Sequence, residues 1–242
     1  MSSAPQGSFR LFRFAGIDIY LHWMWFLVAY FQIVQRPHAY SSIGWNVAEY
    51  LILFLLVLLH EFGHSFATRQ VGGTADTILL WPLGGVAYVR PPQRPGAELW
   101  SIAAGPLVNV VIFILLTGLA YAQQSPLIGS TLTDEQEILK NIWWINAMLL
   151  AFNLLPVYPL DGGQILRSLL WFGVGPVRSL LYATTLGLIG IIFLVWWALD
   201  WRSLSLNTRT IWTLILAAYL FSNCWAAFQQ ARAMNQAGPR ID

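Results

Sequence analysis

The sequence predicts an all-α polytopic membrane protein of about six transmembrane helices, with a short membrane-associated β-hairpin between the second and third. Two features of the chain say so. Hydrophobic residues make up 57% of the 242 positions and charged residues only 10%, whereas an ordinary soluble domain carries about 25% charged residues. So few polar groups cannot cover an apolar core of this size, and lipid must solvate much of the exterior. The apolar residues also gather into runs close to the length of about 20 residues that a helix needs to cross a bilayer. Residues 1–242 are read as a single domain.

The first run, Ile19 to Val34, is short and rich in interface-anchoring aromatic residues. The arginines before it lack a small-residue cleavage site, so it is expected to be a retained span and not a removable signal peptide. Val47 to Ala67 is the second run and Glu98 to Ala122 the third. Asn141 to about Phe172 is too long for one crossing and is broken by Pro156, Pro159 and the Gly162-Gly163 pair. Val177 to Trp197 and Thr210 to Phe228 complete the set. Between the second and third spans, Thr77 to Val89 is apolar but too short to cross. Its two β-prone arms around Gly84 and Gly85 are expected to form a hairpin turning at the glycine pair.

Charge sets the orientation. With the N-terminus inside and six spans, nine of the thirteen basic residues are cytoplasmic (Arg10, Arg13, Arg69, Arg90, Arg94, Arg167, Arg178, Arg232 and Arg240). Arg36, Lys140, Arg202 and Arg209 fall outside. That asymmetry follows the positive-inside rule and places both termini in the cytoplasm. A net charge of +2 without a basic cluster leaves no electrostatic footprint for nucleic acid. Cys224 is the only cysteine, so an internal disulfide and a cysteine-rich zinc site are both excluded, and any zinc must be held by histidine and carboxylate.

His60-Glu61-Phe62-Gly63-His64 is an H-E-x-x-H pentapeptide inside the second span. On a helix its histidines share one face and can grip one metal ion, with Glu61 beside them as general base. Two imidazoles and a carboxylate within an apolar span cost several kcal/mol unless paired or metal-bound, so a plain polar cluster is the weaker reading. A catalytic zinc needs a third protein ligand and one open position. The break in the fourth run, Asn153 to Gly163, presents Asp161 at a point where Pro156 and Pro159 remove backbone donors and Gly162 allows close approach. Asp161 alone could also cap the helix that follows. Asn109 reads as an interhelical hydrogen-bonding residue or as support for the site.

HEFGH in one span and NLLPVYPLDGG in a later one resemble the site-2 protease family of intramembrane metalloproteases. GIDIYLHW, WPLGGVAY and AGPLVN extend the resemblance over most of the chain. It is nearest to the compact bacterial and archaeal branch that includes the sporulation protease, expected without a PDZ or CBS domain. Gln164 departs from the arginine that relatives often carry after DGG. The resemblance implies one Zn2+ held by His60, His64 and Asp161, with Glu61 activating water. It implies a bacterial or archaeal cell membrane, an active site toward the cytoplasm, and transmembrane protein substrates cleaved within or beside their spans. Counting from His60 to Arg69 places the metal roughly 14 Å from the cytoplasmic end of its helix. A helical substrate must unwind before attack. Its strand could then add to an edge formed by Gly84, Gly85, Val86 and Ala87, and Asn153 could hydrogen-bond its backbone or the developing oxyanion. Two rivals remain. A prenyl-protein protease would recruit a glutamate as third ligand, from Glu98, Glu135 or Glu137. A transporter or non-catalytic metal binder would spread polar residues across several spans.

Overall fold

A computed structural model describes residues 6–34, 40–81, 84–125, 127, 133–199 and 208–236. Arg36, Arg202 and Arg240, used above for orientation, lie outside them, as do Pro82 and Leu83 of the hairpin. The chain forms two compact units: Met1–Pro92 with Trp100–Ala151, and Gln93–Leu99 with Phe152–Asp242.

The first unit opens with β1 (Ser8–Phe14) and β2 (Ile17–His22), paired antiparallel. Ala15 and Gly16 join them with φ of 48° and 76°, the two positive angles that a tight hairpin turn requires. α1 (Trp25–Val34) follows, then α2 (Ile43–Gln70). β3 (Thr74–Trp81) leaves the C-terminal end of α2, pairs parallel with β2 and antiparallel with β4 (Gly84–Arg90), giving the order β1-β2-β3-β4. The sheet lies along the C-terminal half of α2, where Ile17, Ile19, Leu21, Ile78 and Leu80 pack against Val57, Leu58 and Phe62. Arg69 donates to the carbonyls of Ala15 and Gly16 at 2.5 and 3.2 Å, which fixes the β1–β2 turn at the end of α2. Trp25, at the start of α1, reaches back to Tyr50 and Phe54. β2 and α1 therefore run in one continuous direction along α2. α3 (Pro95–Ala122) and α4 (Asp134–Asn153) complete this layer, Ile138 and Ile142 packing with Leu56, Ile112 and Leu116. Glu49 is buried near the N-terminal end of α2, where it accepts from the Tyr40 hydroxyl and, at 3.0 Å, from Asn141 Nδ2.

The second unit holds α5 (Asp161–Ala198) and α6 (Thr208–Gln236). α5 is two helices joined at Gly175, whose φ of 82° and ψ of 171° are not helical, with Pro176 next. A straight helix would carry Gly187 about 39 Å from Asp161. Instead, the Cα hydrogens of Gly187 and Gly190 abut Tyr158 and Val157, just before the helix begins. The two halves therefore run antiparallel, and Val157, Tyr158 and Leu160 pack on Ile191, Leu220 and Cys224.

Four helices among the described residues are long and apolar enough to cross a membrane: Ile43–Gln70, Pro95–Ala122, Asp161–Trp197 and Thr210–Gln236. The chain is a mostly helical integral membrane protein, but three expectations change. The run Ile19 to Val34 is not one helix: its first part is strand β2 and the rest is the ten-residue α1. The expected hairpin is half of a four-stranded sheet, because strands and buried helices both read as apolar runs. Gly84 and Gly85 do not form the turn; they pair with Trp81 and Leu80 inside β4.

Candidate metal centre

His60, Glu61 and His64 lie on the half of α2 covered by the sheet and by α3, and all three are buried. The ring Nδ1 of His60 is 2.6 Å from Asn109 Oδ1, and that of His64 is 2.9 Å from the Ser101 carbonyl oxygen. A carbonyl oxygen only accepts, so both Nδ1 atoms carry their proton and both Nε2 atoms present a lone pair in the neutral rings. The two Nε2 atoms stand 3.1 Å apart. Two nitrogens on one tetrahedral zinc, each at about 2.0–2.1 Å, would lie roughly 3.3 Å apart. A cation between them turns a repulsion of lone pairs into two bonds. Space for it comes from Gly105 on α3, where a Cβ would collide with Nε2 of both histidines. Two tied Nδ1 atoms, two converging Nε2 atoms and a bare α-carbon opposite form a cradle that fits a metal ion.

Glu61 points toward the sheet. Its Oε2 accepts the backbone N–H of Ala87 at 2.9 Å, and a Cβ at Gly85 would overlap its side chain. The Ala87 N–H is thus directed to the outer edge of β4 and away from β3, next to the residue read as the base. Val86 and Tyr88 alternate with it and are exposed on the opposite face.

In the second unit, α4 has ended at Asn153, which is half-buried, and the chain passes through Pro156 and Pro159 before α5 restarts. Gly162 and Gly163 let that restart press against the backbone of Leu154 to Tyr158, where a side chain would clash. Gln164 Nε2 donates to the Pro159 carbonyl at 2.9 Å and holds the loop onto the first turn. The N-cap position is Leu160, and buried Asp161 is the first helical residue of α5. Its carboxylate stands at the N-terminal end of α5. His60, His64 and Asp161 make up a group able to hold one metal ion.

Residues 48–142 and 129–197 match the model of peptidase family M50. The chain belongs to that family. It is similar to a zinc metalloprotease of Methanocaldococcus jannaschii, 37% identical over 180 residues, which cover 74% of this chain and 50% of the relative. It is also similar to stage IV sporulation protein FB of Bacillus subtilis, 32% identical over 118 residues, covering 48% of this chain and 38% of the other. Among solved structures it resembles the site-2 protease from Methanocaldococcus jannaschii at a TM-score of 0.62 and 30% identity, over 91% of this chain and 95% of that one. The chain spans about half the length of the first of these relatives.

The family resemblance drawn from HEFGH and LDGG is therefore correct. Sequence reasoning misses Ser101, Gly105 and Asn146 as parts of the site, and it reads Ala87 as an edge for substrate without the bond from its N–H to Glu61. Gly105 is within its reach, sitting four residues before Asn109 and therefore on the same helical face. The carbonyl of Ser101 and the N–H of Ala87 leave no mark in a sequence, since nearly every residue has both groups.

Filling the cradle should evict the ion. Gly105→Ala is expected to weaken metal binding about 10-fold or more. Metal content after competition with a chelator checks this, and parental affinity would mean that the ion does not sit between the two Nε2 atoms.

Proposed function

We propose that this chain is an intramembrane zinc metalloprotease, acting as one domain over residues 1–242, that hydrolyses peptide bonds within or beside transmembrane segments of other membrane proteins. The observation that carries this reading is the pair of converging His60 and His64 Nε2 atoms over Gly105, with Glu61 and the edge of β4 beside them. His60, His64 and Asp161 are the ligands in this reading. Bound there, zinc supplies Lewis acidity that polarises a carbonyl oxygen and lowers the pKa of water toward about 7. Glu61 takes the proton from the attacking water and delivers it to the leaving amine. Burial keeps Glu61 from bulk solvent, and the Ala87 N–H orients its carboxylate.

Two of the three rival glutamate ligands are ion-paired elsewhere. Glu98 pairs with Arg167 at 3.3 Å, Glu137 pairs with Lys140 at 2.6 Å, and Glu135 lies in the first turn of α4. Replacing His60 and His64 together by Ala should abolish zinc binding. Glu61→Gln should retain one zinc per chain yet lower cleavage of a transmembrane substrate by about 100-fold or more. Full zinc in the double variant, or parental cleavage by Glu61→Gln, would overturn the assignment.

The substrate strand is proposed to dock on the outer edge of β4, along Gly84, Gly85, Val86 and Ala87. Gly85 supplies outward backbone groups and Ala87 its outward carbonyl, its N–H being held by Glu61, and Asn153 supplies a hydrogen bond to the substrate backbone or the oxyanion. An open edge inside lipid holds unpaired donors and acceptors that cost several kcal/mol each, and an unwound helix carries the same deficit. Pairing the two relieves both. Proline at Ala87 removes the donor to Glu61 as well as an edge position, so Val89→Pro, two residues along the same edge, is the cleaner probe. Both variants should cut cleavage strongly with zinc content unchanged. Parental rates in Val89→Pro would rule out the edge and leave Asn153 as the holder of substrate.

Six crossings with both termini in the cytoplasm and the metal toward the cytoplasmic side remain our reading of the topology. The six residues of β2 and ten of α1 together cover about 35 Å, enough for a hydrocarbon layer of about 30 Å. The reversal at Gly175 divides α5 into two runs of helix, and this reading counts the first with the fourth apolar run of the sequence and the second as the fifth crossing. Reporter fusions at Gln124 and after Gln236 should report the exterior and the cytoplasm respectively. An exterior signal after Gln236 contradicts this topology.

A further inference from the structure

Asn146 on α4 is fully buried, as is Asn109 on α3. Nothing in the proposed chemistry uses Asn146, yet it is bound to Asn109 twice. Its Nδ2 donates to the Asn109 backbone carbonyl at 2.9 Å, and its Oδ1 accepts from Asn109 Nδ2 at 2.8 Å. The Asn109 Oδ1 that remains faces His60 Nδ1 at 2.6 Å. A lone interhelical hydrogen bond would need only one of these contacts.

The three contacts have a direction. The backbone carbonyl of Asn109 can only accept, so the atom of Asn146 facing it must be the NH2 group. That fixes the other atom of Asn146 as the oxygen, which in turn demands the NH2 group of Asn109. Asn109 must therefore turn its oxygen to His60, and His60 must carry its proton on Nδ1. The consequence is a lone pair on His60 Nε2, the atom that faces the metal cradle. Without Asn146, the Asn109 amide could flip and offer N–H groups to His60, moving the proton to Nε2 and blocking the ligand atom. His64 does not need such a device, because a backbone carbonyl from Ser101 cannot flip.

We propose that Asn146 is a positioning residue for metal binding, setting the tautomer of His60 through the orientation of the Asn109 amide. The inference rests on the reading of His60 as a ligand. Its test is zinc affinity, measured by chelator competition on the purified full chain in detergent, together with the thermal midpoint of the metal-free protein. Variants are Asn146→Leu, Asn109→Leu, the double variant and His60→Ala. Asn146→Leu is expected to weaken zinc binding about 10-fold or more, the range for partners that orient a metal ligand. Asn109→Leu should weaken it at least as much, and the double variant no further than Asn109→Leu alone. A purely structural Asn146 would lower the midpoint and leave zinc affinity at the parental value, which overturns the proposal. So would a double variant whose loss equals the product of the two single losses. Should Asn146→Leu not purify in folded form, Asn146→Ala takes its place, with the same two measurements and the same expected loss of affinity. If His60→Ala itself keeps parental affinity, the ligand assignment fails first. If only that variant loses zinc, the ligand stands and the relay falls.

Discussion

Two imidazole nitrogens held 3.1 Å apart inside an apolar bundle constrain every element around them. Neutral rings in that arrangement repel, and protonated rings would place positive charge where desolvation is costly. A bound cation resolves the conflict only if each ring offers the correct nitrogen. The surroundings of α2 are built to that end. α3 supplies an amide oxygen from Asn109 and a carbonyl from Ser101 to hold the two Nδ1 protons, and the missing side chain at Gly105 leaves room on the metal side. The close approach at Gly63, where a Cβ would meet the Ala104 carbonyl, is what brings α3 near enough to do this.

The sheet answers a second constraint, the requirement that backbone groups at membrane depth be paired. β2 and β3 run parallel along the C-terminal half of α2, so the apolar faces of both strands cover the helix while their ladders satisfy each other. Phe9, Phe12 and Phe14 are exposed along β1, as suits a strand with lipid beside it. The outer edge of β4 is one of the two edges the sheet itself leaves without a partner strand, and it is there that Glu61 meets a backbone donor.

Whatever repeats with a helical period, or breaks it, is legible in the sequence. HEFGH stands out because i and i+4 share a face, and the LDGG break because two prolines and two glycines cannot continue a helix. Strand β2 is hidden because Ile19 to Val34 is largely apolar, and a strand followed by a short helix has the composition of one span. Propensity alone puts Gly84 and Gly85 in a turn. Their actual place in β4 follows from tertiary demand, since Gly85 must make room for Glu61. Asn146 escapes notice because one asparagine in a long helix has many ordinary uses, and only its two bonds to Asn109 separate it from them.

The bond between Ala87 and Glu61 links the edge to the chemistry. A hydrogen bond to a carboxylate is stronger than one to a neutral carbonyl, about 1.5–3 kcal/mol against roughly 0.5–1.5 kcal/mol. A docked substrate strand would therefore compete poorly for the Ala87 N–H and would pair more readily with the edge on either side of it. In the proposed docking, the substrate carbonyl opposite Ala87 is then the one left without an edge donor. It is also the carbonyl nearest the base, because Glu61 holds that donor. In the proposed mechanism, a single N–H that orients the base and leaves one substrate carbonyl unpaired would place the polarisable bond beside Glu61. An edge that paired with every substrate carbonyl would bind the strand more tightly but hold the scissile oxygen in the ground state, and binding shared equally by ground and transition states does not lower the barrier.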